Sequence, residues 1–164
     1  MNKFAVVMCA ALAGLCGTAM AAGPLTPQDF VAKASAAGMA EVQSGQVAVQ
    51  KAGSSQVRTY GQMMVDDHGK ANKELETLAK SKGLQLAPGP TDAQKASLDK
   101  LKGRTGADFD ASYAHQRVLD HEDAVSLFTQ ASKLQDAALA GFASKTLPAL
   151  QHHLEEARKL EKAN

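Results

Sequence analysis

Glu41, His68, His121 and His153 are the residues of this sequence best suited to do chemistry. Each falls on the apolar stripe of a different predicted helix. A helical core excludes ionisable side chains unless they are paired, hydrogen-bonded or bound to metal. Three imidazoles and one carboxylate form a donor set for one divalent transition metal: Zn, Fe, Mn or Cu. The blander alternative is a buried polar network in which neighbours satisfy each histidine. A two-iron carboxylate site fits less well, because that chemistry uses Glu-x-x-His pairs. The residues three before His68, His121 and His153 are Val65, Val118 and Leu150.

The flanking residues sort by the same periodicity. Asp67, Glu122 and Glu156 stand beside the histidines, where a carboxylate can orient an imidazole; Glu122 fits a solvated face better. His115 and His152 lie off the stripes and are expected at the surface. Met39, Met63 and Met64 read as core filler rather than copper ligands. Asp110 and Tyr113, one turn apart, fit a structural hydrogen bond.

The elements that must position these groups are helices. The first is expected from Pro27 to about Ala52, capped by Thr26, with Phe30, Ala34, Ala37, Glu41, Gly45 and Ala48 on one face. Gly53 ends it. The second restarts at Ser54 or Ser55 and runs to about Lys82, with Val57, Tyr60, Met64, His68, Ala71, Leu75 and Leu78 as its stripe. Gly83 closes it, and Ala87-Pro88-Gly89-Pro90 breaks regular structure. A short helix from Asp92 to Leu101 follows. A third long helix begins near Ala107, with Thr105 and Asp108 spaced as a capping box. Its stripe is Ala114, Val118, His121, Val125, Phe128 and Ser132. After a tight turn at Gln135-Asp136, a fourth carries Leu139, Ala143, Thr146, Leu150, His153, Ala157 and Leu160. Pro148 is expected to kink or split it.

This pattern predicts an all-α fold: a four-helix bundle with a short extra helix between the second and third long helices. The linker of roughly twenty residues fits either a crossover, as in ferritin-like bundles, or a loop at one end. Counting from the turns brings the four polar residues to one depth. Glu41 lies 12 residues before Gly53 and His68 lies 15 after, an offset of about 4.5 Å. His121 lies 14 before Gln135 and His153 lies 18 after, an offset of about 6 Å.

The remaining composition bounds the setting. Met1-Asn2-Lys3, the apolar run Phe4–Met20 and Ala19-Met20-Ala21 read as a secretory signal peptide cut after Ala21, leaving 22–164 as one exported domain. Both cysteines, Cys9 and Cys16, fall in that signal, so packing must stabilise the mature chain. No later stretch is apolar for long enough to span a membrane. Of 18 basic residues Lys3 is lost with the signal, which leaves 17 against 17 acidic ones. That balance, with no basic cluster, argues against nucleic acid as a partner. The sequence names no protein partner and is compatible with a homo-oligomer.

Several segments together resemble a known family. They are Phe30-Val31 with Ala40-Glu41-Val42, Met64-Val65-Asp66-Asp67-His68, Phe109-Asp110-x-x-Tyr113 with His121, and Leu147-Pro148-x-Leu150-x-x-His153-Leu154. The chain is similar to the bacterial exported domain-of-unknown-function family 4142 from about Asp29 to Leu160. The resemblance implies a periplasmic or outer-membrane-associated, ferritin-like helical bundle and no particular reaction. Its recurring His and Glu positions correspond to the same four residues. Three functions compete: an envelope metal-binding protein, a non-catalytic envelope stress or interaction module with a structural polar core, and a small-molecule enzyme using His as base. The enzyme is least supported, because no nucleophile or cofactor loop accompanies the histidines.

Overall fold

The computed structural model describes residues 23–164, and the expected signal segment 1–21 lies outside them. Among the described residues the chain forms five helices and no strand: α1 (Pro27–Lys51), α2 (Ser55–Lys82), α3 (Asp92–Lys102), α4 (Gly106–Ala131) and α5 (Ala137–Ala163). No helix among them is long and apolar enough to cross a membrane.

The ends follow local chemistry. Thr26 accepts the amide of Asp29 at the start of α1, Ser54 accepts those of Gln56 and Val57, and Asp136 accepts those of Ala138 and Leu139. Gly83 closes α2 at a φ of 66°, which costs a glycine nothing. Two expectations need correction. The capping box is Thr91 with Gln94, at α3; Thr105 makes no side-chain cap, and Asp108 instead receives Arg104 at 2.6 Å. Pro148 does not split α5, which runs unbroken through it. Pro148 and Ser144, four residues earlier, are both exposed. The carbonyl that loses its helical donor therefore lies on the solvent side and is not stranded in the core.

The long helices pack as two hairpins, α1 with α2 and α4 with α5; α1 also meets α4, and α2 meets α5. So α2 and α4 face each other across the centre. The hairpin α1–α2 is close because glycines line its crossing. A Cβ on Gly45 would lie 2.6 Å from the carbonyl oxygen of Gly61, and one on Gly61 would lie 2.8 Å from Cβ of Ala48.

The connection from α2 to α4 travels the length of the molecule. It leaves beside the start of α1, where Gln28 bonds Gln85 and Ser35 accepts the amide of Ala87. It arrives beside the end of α1, where Lys51 donates to the carbonyl of Lys102 and Gly106 pairs with Ala52. Asp110 completes that end by accepting the amides of Gly53 at 3.0 Å and Ser54 at 2.6 Å. This is the structural hydrogen bonding expected of it. The linker is thus a crossover, and α2 and α4 run parallel.

The core divides into two apolar clusters. One contains Val57, Tyr60, Met64, Phe109, Tyr113, Val118, Leu154 and Leu160. The other contains Phe30, Val31, Leu75, Phe128, Leu139, Phe142 and Leu150. Along each long helix the change from one cluster to the other falls at one buried polar residue: Glu41, His68, His121 or His153.

Candidate metal centre

That boundary is a polar layer. His121, His153 and His68 are only 1%, 2% and 8% exposed. Their ring centroids form a near-equilateral triangle with sides of 5.5, 5.4 and 5.4 Å. One nitrogen from each ring lies within 4.8 Å of the other two. His68 Nε2 and His121 Nε2 are 3.4 Å apart, facing across the centre from α2 and α4.

Hydrogen bonds set the orientation of two rings. His121 Nδ1–H donates to the carbonyl of Arg117 at 3.0 Å, which leaves a lone pair on its Nε2. His153 Nε2–H donates to Asp67 Oδ2 at 3.2 Å and leaves Nδ1 buried without a partner. Asp67 is half-exposed and also within 3.6 Å of Lys70. The Tyr60 hydroxyl donates to the carbonyl of His153 at 3.1 Å and pins α5 to α2 at this level.

Glu41 is buried at the same depth but is engaged elsewhere. Its Oε2 accepts Arg117 Nη1 at 2.6 Å, and its Oε1 lies 3.9 Å from His121 Nδ1, the nitrogen turned toward the Arg117 carbonyl. Arg117 Nη1 also reaches Ser44 Oγ at 2.7 Å, and Nη2 reaches Asp120 at 2.6 Å. The guanidinium stands over the Tyr113 ring, 5.3 Å from its centroid. The structure therefore brings the three histidines together and leaves Glu41 beside them, in an ion pair.

Electrostatics follow the packing. Burial, the largest single influence, raises the Glu41 carboxyl, but the charge and hydrogen bond of Arg117 together with His121 and His68 outweigh it and carry the pKa down to about 2. Burial holds Arg117 back, and Glu41 with Asp120 more than restores its charge. Burial lowers His68 to about 4 and lowers His153 against the pull of Asp67. Burial raises both Tyr60 and Tyr113. Hence a buried salt bridge adjoins a cluster in which His68 and His153 favour the neutral form, which is the form that binds metal.

Arg117 was not among the residues singled out from the sequence. A usable signal existed. A buried carboxylate requires a cation, and Arg117 lies four residues before His121, one turn along the same helix. Of the flanking acids, Asp67 touches the cluster, whereas Glu122 pairs with Arg158 and Glu156 with Lys159. His115 is exposed and bonds Glu161, and His152 is exposed.

The donor set fits a single ion. Two nitrogens bound at about 2.05 Å on a tetrahedral centre lie about 3.3 Å apart, close to the 3.4 Å between His68 and His121. The unpartnered His153 Nδ1 supplies a third lone pair. An imidazole whose other nitrogen donates to a carboxylate or carbonyl is the usual arrangement of a metal-bound histidine.

No curated protein and no solved structure matches this chain. The family model described as domain of unknown function DUF4142 matches residues 15–160, most of the sequence, and the chain belongs to that family.

Proposed function

We propose that this protein is an exported, ferritin-like four-helix bundle that binds one divalent transition metal through His68, His121 and His153. The observation that carries the reading is the triangle of imidazole nitrogens with an unpartnered Nδ1 on His153. Glu41, expected from the sequence as a fourth ligand, is tied to Arg117. That pairing supports a fourth coordination position left to an outside ligand, as in three-histidine zinc sites with an open position. Export rests on the sequence of residues 1–21 and makes the protein a periplasmic or otherwise exported one. One observation favours the structural alternative: the 3.4 Å His68–His121 contact also suits an N–H···N bond within a metal-free polar core.

Metal analysis and thermal melts on protein purified without a His tag decide between them. Metal at a hundredfold excess over Kd should stabilise the fold by about 2.7 kcal/mol. His121→Ala should abolish that gain and His152→Ala should keep it. Binding should weaken as pH falls toward about 4, where the buried His68 imidazole protonates and can no longer ligate. Identical melts of metal-free and metal-loaded protein would leave the polar-network reading in its place.

A further inference from the structure

The three histidines are not sealed equally on their two sides. A cleft of about 400 Å³ enters between α1 and α4 and reaches His68, His121 and Glu41. Its mouth carries polar residues of α1, α4 and the crossover, among them Lys33, Asp123 and Gln94. Its deep wall is apolar: Leu75, Phe128, Phe142 and Leu150. Cavities of this size hold small molecules, and an apolar wall with one polar focus orients an amphiphile. Its volume lies on the side of the phenylalanine cluster.

Charge selects the head of that molecule. A divalent ion held by three neutral imidazoles keeps its full charge, and because Glu41 and Asp120 share Arg117, only one carboxylate is left uncompensated against it. An anionic donor is the complementary occupant of the open position. Length selects the tail. Seven residues of α4 separate His121 from Phe128, about 10 Å of helical rise.

We infer that the cleft binds a medium-chain carboxylate, with its head on the metal and its alkyl chain against Leu75, Phe128, Phe142 and Leu150. The inference rests on the proposed metal site and adds the class of ligand that site takes.

Cobalt(II) makes the two separable, because its visible absorption reports both metal binding and a change of ligand. Cobalt-loaded protein is titrated with octanoate and, separately, with acetate. Octanoate should shift the spectrum at a half-saturating concentration at least about tenfold below that of acetate, since only its chain reaches the apolar wall. Ala124→Phe, from the α4 side of the cleft, should retain the ligand-free cobalt spectrum and lose the preference for octanoate. Ala37→Leu, from the α1 side, should do the same and guards against one variant failing to fold. Equal responses to octanoate and acetate, or an undiminished preference in both variants, would overturn the carboxylate site while leaving the metal site standing. A wild-type cobalt spectrum no different from that of His121→Ala would reject the metal reading, and this inference with it.

Discussion

The two apolar clusters on either side of the polar layer come from the same four long helices and differ in how they close. Toward the α1–α2 turn, Tyr60 and Tyr113 meet edge to face at 6.1 Å, Phe109 stacks on Tyr113, and Asp110 holds the turn by two amides. Polar tips there reach the site itself, since Tyr60 bonds the His153 carbonyl and Tyr113 lies under Arg117. Toward the other end, Phe30, Phe128 and Phe142 pack together with no polar tip, and a cleft enters beside them. One half anchors the histidines, and the other leaves them approachable. The hydroxyls and the acid make the difference.

The heaviest test of the anchored half is Arg117→Met. It strands the Glu41 carboxylate in the core, and loss of one partner from a buried ion pair costs about 3–5 kcal/mol. Urea unfolding should show that loss, and a cost under about 1 kcal/mol would mean that Glu41 relaxes out to solvent. Next is a matched pair across the layer. Phe→Ala in a core costs about 3–5 kcal/mol, depending on how well the site collapses. Phe109→Ala, fully buried and stacked on Tyr113, should fall at the upper end. Phe142→Ala, beside the existing cleft, should fall at the lower end. The reverse order would break the comparison.

Acid should reach the layer through its histidines. His68 is lowered from an ordinary 6.5 to about 4 by burial, and His153 is lowered as well. A base with a depressed folded pKa stabilises fully above its unfolded value. The metal-free protein should therefore lose stability as pH falls from about 6.5 toward 4, by roughly 3 kcal/mol from His68. Glu41 adds a further loss only as pH falls through its own window, from 4.5 toward 2. Replacing His68 by Leu should flatten the upper window, and unchanged pH dependence in His68→Leu would remove His68 as its origin.

The smallest expected effects separate the two tyrosines. Tyr60→Phe removes a buried hydrogen bond and should cost about 1 kcal/mol. Tyr113→Phe removes a buried hydroxyl that has no partner, so it should be neutral or slightly stabilising. Equal costs in thermal melts would mean that Tyr113 has a partner in solution.

Helical period and end signals were legible because both are local. Pro27, Ser54, Gly83 and Asp136 mark ends by backbone rules that act within a few residues, whereas α1 is closed by Ala52 and not by Gly53. The same period put one ionisable residue per long helix on the inward face, and all four are buried. Thr105 misled because its spacing to Asp108 imitates a capping box, while Arg104 claims that acid. Pro148 does not split α5 because it faces solvent, where the freed carbonyl of Ser144 is not buried.

Sequence alone determined that the chain is helical, where its long helices begin and end, and that Glu41, His68, His121 and His153 share one level. Those properties follow from spacing along a single helix. Tertiary structure decided the rest. It set the path of the crossover, which depends on which helix ends meet. It set the partner of Glu41, because Arg117 lies 76 residues away and only packing brings it within 2.6 Å. It also decided which side of the histidines is open. Periodicity reports that a residue faces inward; only the neighbouring helices determine what it meets there.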